Sequence, residues 1–199
     1  NINRVLFRHF NVVPVALSEE IQKTIQEVYG LPISRVPVVF NGIDLSRCIV
    51  KESYARKDTF TVLHIGRFMD VKNQELLLRS FAWFKGQYSD ARLQLLGDGE
   101  LKENMMQLAG QLNIADAVEF AGLQSNVYPW LHNADVFILP SKFEGMPMTL
   151  IEAMGTGLPI IASNVGGIPD MLTDQKDAVL IEPKEDCVIS ALELIYFDE

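Results

Sequence analysis

The hydrophobic pattern of this chain alternates between two periods. Short β-branched runs recur at Phe60 to Ile65, Leu93 to Leu96, Val118 to Phe120, Val136 to Leu139, Pro159 to Ala162 and Val179 to Ile181. Segments of helical period lie between them. Gln74 to Tyr88 places Leu77, Leu78, Phe81, Ala82 and Phe84 largely on one face, and Glu100 to Leu112 carries Leu101, Met105, Leu108 and Leu112 at spacings of three and four. Strand-like runs alternating with core-facing helices predict repeated βα units and a parallel sheet. Such strands must be covered on both faces, and right-handed crossovers then give an α/β, Rossmann-like, doubly wound sheet with its ligand crevice at the carboxyl ends of the strands.

The first 58 residues read differently. An apolar run, Val12 to Leu17, precedes Ser18, a predicted N-cap with Glu19 and Glu20 in the first turn and Gly30 near the helix end. A second run, Val36 to Phe40, stops at Asn41-Gly42, a strong turn dipeptide, and the polar stretch Lys51 to Asp58 reads as a loop into the main sheet. No repeat of fixed period and no Ser/Pro linker divides the chain, so residues 1–58 are expected to be a lead-in to one domain spanning 1–199.

Composition narrows the function. The hydrophobic fraction of 48% excludes disordered, collagen-like and low-complexity classes, and a formal charge of -9 has the wrong sign for a nucleic-acid binder. No apolar stretch approaches the ~18 residues needed to span a bilayer. The start, Asn1-Ile2-Asn3-Arg4, lacks an initiator Met and the apolar core of a signal peptide, so the expectation is a soluble, cytoplasmic protein that begins mid-sequence. Cys48 and Cys187 lie far apart, with no metal-ligand spacing, and are expected to be buried thiols.

Candidate chemistry gathers where the predicted strands end. After the first strand, Gly66-Arg67-Phe68-Met69-Asp70-Val71-Lys72 places one glycine and two cations at the ligand edge of the sheet. Gly66 would allow close backbone approach, Arg67 could fork onto a diphosphate, and Lys72 could add charge from the helix entrance. Solvated loop cations are the competing reading. Gly97-Asp98-Gly99-Glu100 would need its third glycine at Lys102 to complete a dinucleotide fingerprint, so it reads as a tight turn beside a nucleotide pocket. His9, His64 and His132 have no metal-ligand spacing.

The most informative stretch runs from Leu139 to Pro159. A strand ends, a loop carries Glu144 and Gly145, and Pro147 suits the first turn of a helix ending near Gly155. Glu152 stands about 7 Å up that helix from Pro147, so two carboxylates could reach two depths of one cleft. Backbone N–H groups at the helix start would add an anion site. A helix-dipole role for Glu144 and an exposed position for Glu152 remain open on these residues alone.

Phe143-Glu144-Gly145 through Glu152-Ala153-Met154 resembles the E-x7-E motif of the retaining glycosyltransferases of family 4, of GT-B type. Asn41-Gly42-Ile43-Asp44, Ile65-Gly66-Arg67 with Lys72, Gly97-Asp98-Gly99, Val118 to Gly122, Ala134 to Ser141 and Val165-Gly166-Gly167 are similar to that family's other motifs and follow its order. Asp170 stands where the pattern after Gly166-Gly167 usually has a glutamate.

The resemblance implies a C-terminal, donor-binding half of a two-domain enzyme that moves a sugar from a nucleoside diphosphate sugar to a hydroxyl. Arg67 and Lys72 would hold the diphosphate, Glu152 the ribose, and Glu144 the transferred sugar. Gly66 would lie against the phosphates, Leu123 or Gln124 beside the base, and the backbone of Gly145, Met146, Met148 and Thr149 against sugar or phosphate. No metal and no cofactor is implied, since the nucleotide sugar is a co-substrate and no Asp-x-Asp occurs. The acceptor half and the C-terminal helix that crosses back to it are expected to be missing, and the full-length protein is expected to associate peripherally with a membrane surface. A nucleotide-sugar epimerase of the same architecture and a non-catalytic nucleotide-binding domain are the alternatives.

Overall fold

The computed structural model describes residues 2–54 and 58–198. Six strands, β1 (Phe60–Ile65), β2 (Ala91–Leu96), β3 (Val118–Gly122), β4 (Val136–Leu139), β5 (Ile160–Ser163) and β6 (Val179–Ile181), form one sheet in the order β3-β2-β1-β4-β5-β6. All five pairings are parallel, with Val62 opposite both Leu93 and Val136, and Phe137 opposite Ile160. Helices α3 (Gln74–Gln87), α4 (Lys102–Gln111), α5 (Tyr128–Asn133), α6 (Met148–Gly155) and α7 (Glu185–Phe197) cover the two faces.

Adjacent residues of β1 show why both faces need cover. Val62 packs with Leu77, Phe81, Leu108 and Leu192 under α3, α4 and α7, while Leu63 packs with Leu131, Leu150 and Ala153 under α5 and α6. Central β4, Val136-Phe137-Ile138-Leu139, is buried at every position, so its sequence is a continuous apolar run with no alternation. The chain builds outward from β1 to β2 and β3, then crosses back to lay β4 on the other side of β1. At such a reversal the loops after the two strands diverge and leave a crevice at their carboxyl ends.

The expected doubly wound sheet is present, and β1, β4 and β6 match the expected runs residue for residue. Strand β2 starts two residues earlier, β3 continues to Gly122, and β5 begins just after Pro159, which has no N–H to give to the ladder. Helix α4 starts at Lys102, not Glu100, because Leu101 donates its N–H to Phe68 O at 3.2 Å and is held in the preceding turn. Pro147 takes the position just before α6 and not its first turn. Helices α5 and α7 had no expectation attached: α5 has only six residues, and α7 is apolar almost all round.

The lead-in holds two helices, α1 (Ile2–His9) and α2 (Glu19–Tyr29). Ser18 caps α2 as expected, its hydroxyl accepting from Ile21 N, and Gly30 ends it at φ +65°. Arg4 and Arg8 of α1 donate to the terminal carbonyls of α2, Val28 O and Tyr29 O. The two apolar runs join no sheet. They meet at one parallel bridge, Ala16 to Val38, flanked by Pro14 and Pro37, which have no N–H to extend it. No turn forms at Asn41-Gly42; the Asn41 side chain reaches the main domain and leaves the local turn unmade. Of the loop expected over Lys51 to Asp58, residues 55–57 lie outside the described residues. Cys48 and Cys187 are free, and both are half-buried where full burial was expected.

Candidate active site

Three loops at the carboxyl edge are zipped together through their backbones. Gly66 N donates to Leu96 O at 2.9 Å, Phe68 N to Asp98 O at 3.0 Å, and Gly97 N to Gly122 O at 2.9 Å. Gly97 adopts φ +135°, and a Cβ there would stand 2.0 Å from Gly66 O; at Gly99, φ +156°, it would stand 2.4 Å from Phe68 O. Only glycine permits that approach. Beside this seam lies a cavity of about 530 Å³ lined by Gly66, Arg67, Gly97, Asp98, Gly99, Leu123, Gln124 and Val127. Four sequence-derived candidates, Gly66, Arg67, Leu123 and Gln124, therefore share one wall system. Leu123 is 78% exposed at the rim, and Gln124 donates to Ala121 O at 2.7 Å.

Arg67 and Lys72, expected as a pair, face different partners. Arg67 is exposed and stands 3.4 Å from Glu100, a contact of little strength in water. Lys72 instead reaches across the strand-order reversal to Glu144, Nζ to Oε1 at 2.6 Å, with both side chains largely buried. Other bonds fix the same crossing. Asn73, at φ +57°, donates from Nδ2 to Pro140 O at 3.1 Å, Lys142 N donates to Val71 O at 2.8 Å, and Lys142 Nζ lies 2.6 Å from Asp70. Ser141, fully buried, donates its hydroxyl to the same Glu144 oxygen at 2.6 Å.

Under this crossing sits His64, also fully buried. Burial pushes its pKa down to about 4 against the opposing pull of the Ile138 carbonyl, and the Lys72 charge adds to the drop. Its ring is therefore neutral at pH 7. Nδ1–H donates to Ile138 O at 2.9 Å, and Nε2 accepts from Gln74 Nε2 at 3.2 Å. Gln74 also donates to Arg67 O at 2.9 Å, tying the buried ring to the backbone of the cationic loop. A Cβ on Gly66 would approach His64 Nε2 to 3.0 Å.

The loop carrying Glu144 is clamped from two sides. Gly166, at φ +56°, lies so close that a Cβ would stand 1.8 Å from Glu144 O, and Gly167 N donates to that oxygen at 3.0 Å. From the lead-in, Asn41 Nδ2 donates to Met146 O at 3.0 Å, and Ile21 lies 2.9 Å from where a Gly145 Cβ would be. Helix α6 follows with no side-chain cap, so the N–H groups of Met148 and Thr149 have no partner within the helix. Glu152, five residues beyond Pro147, is half-buried. Desolvation raises its pKa, with Arg47 pulling the other way. Among the described residues nothing hydrogen-bonds or ion-pairs its carboxylate. Glu144, Gly145, Met146, Met148, Thr149, Glu152 and Lys72 do not line the 530 Å³ cavity; they form the adjoining part of the edge.

Sequence reasoning missed His64, Gln74, Ser141 and the contact made by Asn41. A histidine inside the apolar run Thr61-Val62-Leu63-His64-Ile65 was the available signal, since a buried polar ring demands partners. Among the described residues no three His, Cys, Asp or Glu side chains converge as a metal-binding group, and no helix is long and apolar enough to cross a membrane.

Comparison with known proteins gives a consistent picture. The family model for glycosyl transferases group 1 matches residues 48–195. The chain is 34% identical over 161 residues to N-acetyl-alpha-D-glucosaminyl L-malate synthase of Bacillus anthracis, covering 80% of this chain and 41% of that protein. It is 29% identical over 188 residues to the Escherichia coli UDP-Gal:alpha-D-GlcNAc-diphosphoundecaprenol alpha-1,3-galactosyltransferase, covering 88% and 48%. Anabaena HepE in complex with UDP and glucose superposes with a TM-score of 0.84 at 19% identity, over 94% of this chain and 54% of that one, a likeness of fold. Across such curated relatives the chain spans from 27% to 48% of their length. The chain belongs to the glycosyl transferases group 1 family.

Proposed function

We propose that this chain is the donor-binding part of a retaining glycosyltransferase that moves a sugar from a nucleoside diphosphate sugar to a hydroxyl acceptor. The observation that carries the reading is the carboxyl edge at the strand-order reversal, where the cavity beside Arg67 adjoins Lys72, Glu144 and the Glu152 carboxylate, which has no hydrogen-bond or ion-pair partner among the described residues. Base and ribose occupy the cavity side, between Gly97, Leu123 and Gln124. Glu152 accepts from the ribose hydroxyls through its half-buried carboxylate. Arg67 and Lys72 take the diphosphate, and the N–H groups of Met148 and Thr149 add dipoles without a metal.

As the bond between the anomeric carbon and the β-phosphate breaks, negative charge gathers on the departing diphosphate. Fixed cations and N–H groups aimed at that charge lower the barrier more than they strengthen substrate binding. Glu144 faces the sugar, where positive charge develops. The UDP bound by the Anabaena structure and the UDP-Gal in the E. coli relative's name support a UDP-linked donor. That relative's diphosphoundecaprenol acceptor supports a complete enzyme working at a membrane surface, with the acceptor held by a further part of the protein.

Thermal shift with UDP-, GDP- and ADP-sugars tests this, because a ligand that binds only the folded chain raises its melting temperature. UDP-sugars should raise it in the presence of EDTA. A chain that no nucleotide sugar stabilises contradicts the reading.

A further inference from the structure

Glu144 is 7% exposed, and its Oε1 accepts two hydrogen bonds, one from Lys72 and one from Ser141, each at 2.6 Å. Ser141 is fully buried, and among the described residues its hydroxyl makes no other hydrogen bond. Its neighbours are pinned: Pro140 O accepts from Asn73, and Lys142 N donates to Val71 O. The hydroxyl is therefore held on the carboxylate by backbone anchored on both sides.

Two anions claim one ammonium in this site. A buried carboxylate that loses its only partner carries a large desolvation cost. Under the donor-binding reading, on which this inference rests, the incoming diphosphate also needs Lys72. We propose that Ser141 is the positioning residue that lets Lys72 be shared. When Lys72 turns to the diphosphate, the Ser141 hydroxyl keeps Oε1 hydrogen-bonded, so Glu144 holds its place and the lysine is released. Without that hydroxyl Lys72 is, among the described residues, the one remaining partner of the carboxylate, and the diphosphate must compete with the full cost of stranding it.

The test is calorimetric titration of UDP into the parent, Ser141→Ala, Glu144→Gln and the double variant, each shown by circular dichroism to melt cooperatively. Ser141→Ala should weaken UDP binding roughly tenfold in the parent background. In the Glu144→Gln background it should change affinity by less than about twofold, because a neutral amide makes no such claim on the lysine. A purely structural effect of the cavity would be equal in both backgrounds. UDP bound by the parent but lost equally in both backgrounds, or in neither, overturns this inference alone. A parent that binds no UDP overturns the donor-site reading and this inference with it.

Discussion

Lys72 and Glu144 meet at 2.6 Å across the strand-order reversal, one from the loop after β1 and the other from the loop after β4. The contact joins the residue proposed for the diphosphate to the residue proposed for the sugar. Within the chain itself each neutralises the other, so donor binding exchanges one charge pair for another. Such an exchange costs less than exposing a bare buried charge.

The first consequence concerns Glu144→Gln. Removing the negative charge frees Lys72, so bare UDP should bind at least as tightly as to the parent. The additional affinity contributed by the sugar of a UDP-sugar should fall. Calorimetry with both ligands separates the effects, and weaker binding of bare UDP would contradict the competition for Lys72.

Glu152 predicts the opposite pattern. A group that accepts from ribose acts on both ligands, so Glu152→Gln should weaken UDP and UDP-sugar alike by about 1 to 2 kcal/mol. Its raised pKa adds a pH signature: as pH falls, affinity in the parent should drop earlier than an ordinary carboxylate would require. Affinity of the Glu152→Gln variant measured over the same range should lack that early drop.

His64 makes stability depend on pH. The folded ring titrates near 4, while an unfolded histidine titrates near 6.5. Between those values the unfolded chain binds a proton that the folded chain refuses. Stability is therefore full above about pH 6.5, falls as pH drops towards 4, and loses about 3 kcal/mol from this group. In melting experiments His64→Asn, which has no titrating group, should lack that part of the slope. Parallel pH profiles for parent and variant would contradict the burial of a neutral ring.

Glycine positions divide by what surrounds them. At Gly166 an alanine Cβ would stand 1.8 Å from Glu144 O at a φ of +56°, so Gly166→Ala should cost about 3 kcal/mol and impair nucleotide-sugar binding. At Gly86, an exposed position of α3 with nothing within 4 Å, the same change should gain up to about 1 kcal/mol. Chemical denaturation of both variants checks the contrast.

The sheet was legible because its strands are continuous apolar runs buried on both sides, as β4 is, and such runs have few alternative uses. Helix α3 was legible because Leu77, Leu78, Phe81 and Phe84 keep one face. In the lead-in the apolar runs Val12 to Leu17 and Val36 to Phe40, flanked by Pro14 and Pro37, make only one bridge, and the turn expected at Asn41-Gly42 does not form. The individual site residues were legible as charges next to glycines. Their partners were not: Lys72 and Glu144 lie 72 positions apart, and local sequence carries no record of a contact made only when β4 crosses back beside β1. Asn41 was hidden likewise, its partner Met146 lying 105 positions away, whereas Ser141 stands only three residues from Glu144 and was hidden because a serine in a loop carries no sign of its burial.

In the proposed function this edge holds a nucleoside diphosphate through Arg67 and Lys72. Titration of UDP in EDTA into the parent, Arg67→Ala and Lys72→Ala tests it most directly. The parent should bind UDP saturably and one-to-one without metal, and each variant should lose roughly 1.5 to 3 kcal/mol of binding with its fold intact. Parental affinity in both variants, or binding that returns only with added magnesium or manganese, would contradict it.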